Sequence, residues 1–208
     1  FKVTDKEKFI KSVGNSVGRT LTELIFNKEF ITAKNKIKYE NDIPECLLNT
    51  KKHNKPVILV SGHFGQWEAV RIMLKRNGFE TGAIYRKNKN PFFESMYLKN
   101  IRLGGEPIFP AGLAGTKRMI KHLKAGGILA LLLDQAVSDG DDFKFFGLKA
   151  KTSMAIAELA LKYNASIVPC YGIREQDGVS IRVVFEDPIR NDSPRKIIQS
   201  INDSLEAR

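Results

Sequence analysis

Cysteine is scarce in this chain. Cys46 and Cys170 are the only two, and they sit in unrelated contexts. Such a pair supplies neither a disulfide framework nor a zinc-binding spacing, which points to a reducing compartment. Long apolar runs are also missing. The longest covers residues 128–133, far short of the roughly 18 residues that a membrane span requires. No secretory signal, internal repeat, low-complexity tract or flexible linker is present. The chain begins at Phe1 rather than at a methionine, so the lack of an anchor is a property of these residues alone. Tryptophan occurs once, at Trp67, and histidine three times, at His53, His63 and His122.

Acidic residues are in deficit. Against 34 Lys and Arg there are 23 Asp and Glu, a net charge of +11, while 42% of the residues are hydrophobic. That composition builds a real core and excludes a disordered chain. Its charge suits an acidic partner: nucleic acid, an anionic membrane surface or an acidic protein. The excess is concentrated. Between Arg71 and Lys124 there are twelve Lys or Arg, opposed only by Glu80, Glu94 and Glu106.

Residues 1–50 read as helical. Phe9, Val13, Val17, Leu21 and Leu24 follow helical spacing, Thr4 and Glu7 have the spacing of a capping box, and Gly14 and Gly18 interrupt the pattern. A second helical stretch extends to about Leu48. From residue 56 the pattern changes. "PVILV", "TGAIYR", "EPIF" and "ILALLLD" read as strands, separated by helical segments with glycine stops. "TSMAIAELALKYN" reads as a helix capped by Thr152 or Ser153. "ASIVPCYGI" and "VSIRVVFEDPI" read as an antiparallel pair joined by a short turn, and residues 193–208 as a final helix. The alternation predicts one α/β domain over 1–208: a helical N-terminal part (1–50), a three-layer core (56–190) with a largely parallel or mixed sheet between helices, and a C-terminal helix (193–208).

The stretch "VSGHFGQWEA", residues 60–69, gathers a histidine, two glycines, the tryptophan and a glutamate at the end of a buried strand. It reads either as a packed turn or as a catalytic pair. His63 and Glu68 are five residues apart, which on a continuous helix separates them by about 140°. They meet only if His63 lies in the glycine-flanked turn and Glu68 in the first turn of the next helix. A histidine held by a carboxylate is a general base. Ser61 is close but lies in no nucleophile elbow. A metal reading needs a third ligand; Asp134 is available, but no ligand spacing supports it.

Further motifs follow in order: "HFGQWE", "IYRKNKNPFFE", "IRLGGEPIF", "LALLLDQ" and "FFGLKAKTSMAIAELALKYNASIVPCYGIR". Together they resemble the bacterial lipid A biosynthesis acyltransferases, within the wider glycerolipid acyltransferase group marked by a His, four residues and an acid. The resemblance covers nearly the whole chain. It implies a glycerol-3-phosphate-acyltransferase-like fold and acyl transfer from an acyl carrier protein thioester to a hydroxyl of a Kdo-lipid A precursor. It also implies His63 as base with Glu68 as its partner, and Arg86 as the arginine of the "YR" motif. Supporting or substrate-binding positions fall on Asn90, Arg102, Asp134, Gln135, Phe145, Phe146, Gly147 and Thr152. No tightly bound cofactor or metal is implied beyond the phosphopantetheine of the donor. The setting it implies is the cytoplasmic face of the bacterial inner membrane, against an anionic membrane surface, with an N-terminal anchor preceding these residues and a continuation past Arg208.

On this reading His63 abstracts the proton of a 3-hydroxyacyl hydroxyl as it attacks the thioester carbonyl. Arg86 holds either a substrate phosphate or the oxyanion. Asp134 braces the site loop, orients Arg86 or is purely structural. The polar loop "DDFKFFGLKAKT" lines an acyl channel or packs onto the core. Two rivals remain. One is a nucleic-acid-binding module, argued from charge alone and without a helix-turn-helix, zinc-finger or aromatic–basic motif. The other is a thioesterase or lipase using water in place of the lipid hydroxyl.

Overall fold

The computed structural model describes residues 4–32 and 37–208. The first half contains α1 (Lys6–Ile25), α2 (Asn27–Thr32), β1 (Ile37–Tyr39), α3 (Glu45–Leu48), α4 (Thr50–His53), β2 (Val57–Ser61), α5 (Glu68–Arg76), β3 (Thr81–Tyr85) and α6 (Pro91–Leu103). The second half contains β4 (Ile108–Pro110), α7 (Leu113–Lys124), β5 (Ile128–Leu132), β6 (Asp141–Phe145), β7 (Leu148–Thr152), α8 (Ala155–Tyr163), β8 (Ser166–Arg174), β9 (Ile181–Phe185) and α9 (Pro194–Glu206).

Seven strands form one sheet in the order β1-β9-β8-β2-β5-β3-β4. β8, β2, β5, β3 and β4 are parallel. β9 is antiparallel to β8, and β1 is parallel to β9. The expected α/β architecture is therefore present. Its layers follow from the alternation of side chains along β2. Val57 and Leu59 pack with Val70, Met73 and Leu74 of α5 on one face. Ile58 and Val60 pack on the other face with Met119 and Leu123 of α7, Ala157 and Ala160 of α8, and Ile198 and Ile201 of α9.

Several expectations need correction. The N-terminal part is not wholly helical, because β1 joins the sheet beside β9. Residues 33–36, inside the expected second helix, lie outside the described residues. Gly14 and Gly18 do not interrupt α1, and its cap is Asp5, whose carboxylate accepts the amide of Lys8, rather than Thr4. The "DDFKFFGLKAKT" segment is not a loop but the antiparallel hairpin β6–β7. Phe143, Phe145, Leu148 and Ala150 alternate there with polar residues, and Phe146 and Gly147, both at positive φ, form the two-residue turn. Thr152 ends β7 and caps nothing; Met154 occupies the cap position of α8, and of the two expected caps Ser153 contributes, its Oγ accepting the Ala155 amide at 3.3 Å.

The sheet's parallel strands deliver their following loops to one edge, where "GHFGQW" bridges β2 and α5. The bridge passes very close to β8. The Gln66 amide donates to Gly172 O at 2.8 Å. Gly65 has φ +58°, and a Cβ on it would collide with that same carbonyl. Gly65→Ala should cost about 1–3 kcal/mol of stability, from the left-handed backbone and the collision together. Denaturant unfolding measures this, and a midpoint equal to wild type would show that the close approach imposes no constraint.

Candidate active site

β2 and β5 are neighbours in parallel register, with Ser61 opposite Leu132. The Leu133 amide extends the ladder by donating to Ser61 O at 2.9 Å. Two residues beyond the Ser61–Leu132 pair, the same register brings His63 and Asp134 side by side. The His63 amide donates to Asp134 Oδ2 and its ring Nδ1 meets Asp134 Oδ1, both at 2.7 Å. A carboxylate only accepts hydrogen bonds, so Nδ1 carries a proton, and in the neutral ring the lone pair is therefore on Nε2. The ring is about one-third exposed, open to a reactant. Trp67 sits against it edge to face, with ring centroids 5.4 Å apart.

Burial alone would push the Asp134 carboxyl up. The hydrogen bonds from the His63 ring and amide outweigh that and hold it below its ordinary 3.8. The sign is that of a depressed carboxylate. Its stabilising effect is complete above its ordinary range and is lost as pH falls through the lower folded value.

Glu68 is not the partner of His63. It opens α5, is buried, and pairs with Arg71 one turn along at 2.7 Å. The reason is electrostatic. The Arg71 guanidinium is itself buried and donates to Thr81 O, Ile101 O and Gly105 O. A cation in such surroundings needs a carboxylate beside it. Gly104 makes room, since a Cβ there would press on Glu68 Oε2. The pair fastens the end of α6 to α5 and β3.

Arg86 lies on the loop after β3, exposed. β3 is separated from β2 only by β5, so Arg86 leaves the same edge about 10 Å across the sheet from the histidine strand. Its guanidinium has no hydrogen-bond or ion-pair partner among the described residues. Asn90 caps α6, its side-chain oxygen accepting the amides of Phe92 and Phe93. Arg102 is not brought to the site. It lies at the other end of α6, about 16 Å along the helix from Pro91, and pairs with Glu106. Asp134, Gln135, Phe145 and Thr152 line a cavity of about 20 Å³, space for one water rather than an acyl chain. Phe143 is buried in the core, whereas Phe146 is exposed at the hairpin tip, next to Gly147.

Two clusters escaped the sequence reading. Glu94 accepts from Tyr85 Oη and from the Asn88 amide, both at 2.9 Å, and so shapes the loop that carries Arg86. The second ties α1 to the histidine loop. Thr20 Oγ1 donates to Gly65 O at 2.7 Å, and Gln66 Nε2 to Glu23 Oε2 at 2.8 Å. Arg174 grips both Glu23 oxygens at 2.6 Å. Glu23 and Arg174 are too far apart in sequence for any local pattern to join them.

A family model described as bacterial lipid A biosynthesis acyltransferase matches residues 2–208. No curated protein matches the chain. Among solved structures it is similar to the 1-acyl-sn-glycerophosphate (LPA) acyltransferase PlsC from Thermotoga maritima. The identity is 14%, over 99% of this chain and 81% of that one, with a TM-score of 0.48.

The two carboxylates should respond differently to removal of their charge. Glu68→Gln leaves Arg71 buried without a counter-charge and should cost about 3–5 kcal/mol, read by denaturant unfolding. Asp134→Asn should cost much less, and its stability gap from wild type should narrow as the pH drops below 4. A gap that stayed constant to low pH would contradict the lowered Asp134 pKa.

Proposed function

The chain belongs to the bacterial lipid A biosynthesis acyltransferase family and is a lipid acyltransferase; from that membership we propose that it moves a fatty acyl chain from an acyl carrier protein thioester to a hydroxyl of a Kdo-lipid A precursor. The observation that carries the catalytic part of this reading is the His63–Asp134 pair at the end of adjacent parallel strands, with Nε2 open to a reactant. His63 Nε2 takes the proton of the acceptor hydroxyl as its oxygen bonds to the thioester carbonyl carbon. The tetrahedral oxyanion collapses, the C–S bond breaks, and the departing thiolate takes the proton back from the imidazolium. Asp134 keeps the tautomer fixed and stabilises the imidazolium while it lasts.

Arg86 serves as the cation for a substrate phosphate or for the oxyanion; its planar, permanently charged fork suits both. Glu68 acts at a distance, through Arg71, by holding α6 in place. The basic loops favour an acidic donor protein and a phosphorylated acceptor. The setting we propose is the cytoplasmic face of the bacterial inner membrane.

Incubation with a panel of acyl carrier protein thioesters and a tetra-acylated Kdo-lipid A precursor, read by mass spectrometry, should add one acyl chain to the acceptor. No mass shift with any donor would overturn the substrate assignment. With a working donor, His63→Ala should lose about 10²–10⁴-fold in kcat, and Asp134→Asn a comparable amount, without loss of fold. Near-normal turnover by either variant would remove that residue from the mechanism.

Arg86→Ala separates its two roles. A rise mainly in acceptor KM identifies phosphate binding. A fall in kcat equivalent to about 2.7–4 kcal/mol identifies oxyanion stabilisation.

A further inference from the structure

The histidine loop is held from two sides. On one side β5 supplies Asp134, which binds the His63 amide and ring. On the other side lies a polar cluster that takes no part in the proton transfer itself. Thr20 and Glu23 come from α1, Gln66 from the loop and Arg174 from the end of β8. Thr20 is 2% and Gln66 1% exposed, and the Glu23 and Arg174 side chains are largely buried.

The chemistry of the groups fixes the direction of the bonds. A carboxylate only accepts, so Gln66 turns its amide nitrogen to Glu23 Oε2 and its oxygen to the Glu68 amide, at 3.2 Å. Trp67 holds the cap position of α5 but makes no side-chain cap bond. Gln66 therefore serves one of the open amides at that helix start. Arg174 donates to both Glu23 oxygens and, at 3.4 Å, to Thr20 Oγ1. The Thr20 proton is left for a carbonyl. Gly65 O, at 2.7 Å, is nearer than Ser16 O of its own helix, at 3.1 Å.

Gly65 O and the Gln66 amide belong to one peptide unit. Thr20 holds its oxygen and Gly172 O its N–H, so the plane is pinned at both polar ends, two residues after His63. Arg19 and Arg174 also share Gly178 O, at 2.8 and 3.2 Å, which ties α1 to the β8–β9 turn. A shielded ion pair contributes little net stability, because both charges leave water, but it is strict about geometry. This one stands where geometry matters.

We propose that Thr20 and Glu23 are positioning residues for His63. With Arg174 they pin the Gly65–Gln66 peptide, and through it they keep the imidazole seated on Asp134. Neither touches a substrate or a reacting atom. The inference rests on His63 being the base of the transfer reaction. A misplacement of about 1 Å in such a group costs about 10²-fold in rate.

The test compares Thr20→Val, which keeps the shape and loses the hydroxyl, with Thr20→Ser, which keeps the hydroxyl. Glu23→Gln weakens the hold on Arg174. The ring-nitrogen chemical shifts of His63, assigned by their absence in His63→Ala, report its tautomer. The neutral wild-type ring should be protonated at Nδ1. In Thr20→Val and Glu23→Gln the tautomers should mix, and kcat should fall about ten- to a hundredfold with both KM values within about twofold. Thr20→Ser should match wild type in every respect. Wild-type kcat in Thr20→Val would overturn the proposal. So would a loss of kcat that follows a lower melting temperature while the tautomer is unchanged, which would assign the cluster to stability alone. A change confined to KM would overturn it as well. Should Glu23→Gln fail to fold, the two Thr20 variants decide. If wild type transfers from no donor, the acyl-transfer reading falls, and the tautomer alone decides whether the cluster positions His63.

Discussion

The chemistry of this molecule depends on the register between β2 and β5. Once Ser61 is opposite Leu132, the two chains leave the sheet in step, and His63 and Asp134 arrive together with nothing further to arrange. A one-residue slip would turn the facing side chains to opposite sides of the sheet. That register is well defended. β2 is buried along its whole length and is paired on both sides, by β5 and β8. The histidine is thus placed by strands, the most rigid part of the fold, while its glycine-bearing loop only has to turn the chain toward α5.

Two carboxylates, Glu68 from the motif and Asp134 from the neighbouring strand, divide their work according to solvent. Asp134 is half-buried beside a ring that stays open to solvent, so it can hold a proton donor whose charge changes during a reaction. Glu68 is sealed beside a buried guanidinium, and releasing it toward His63 would strand Arg71 among backbone carbonyls. Removing one partner of such a pair is far more costly than the pair's own net worth. This asymmetry fixes the assignment. The acid five residues after the histidine maintains the scaffold, and the acid contributed by a neighbouring strand faces the chemistry.

Much of the fold was legible because its signals are local. The β-branched run at 57–60, the glycine stops and the periodicity of the helices gave the alternation from residue 56 onward. β1 was not legible, since three residues acquire strand character only by pairing with β9. The β6–β7 hairpin did carry a signal: Phe143 and Phe145, then Leu148 and Ala150, with the period of two that marks a strand. Its acidic and basic neighbours masked that period. The His63–Asp134 pairing was beyond any spacing argument, because it depends on strand order. β5 enters between β2 and β3, and nothing in "LLLDQ" says so. Residues matched by motif were identified in kind but not in place. Arg102 shows the difference: it falls in a matching segment yet sits at the far end of α6.

α1 joins the two halves of the picture. Its lower half grips the histidine loop through Thr20 and through Glu23, Gln66 and Arg174, and Arg19 reaches Gly178 O of the β8–β9 turn, while the apolar stripe of its upper half is exposed among the described residues. Because one continuous helix does both, whatever surface holds the stripe is set at a fixed distance from His63. The clasp is polar, charge-assisted and largely shielded from solvent, so it behaves as a rigid joint rather than a hinge.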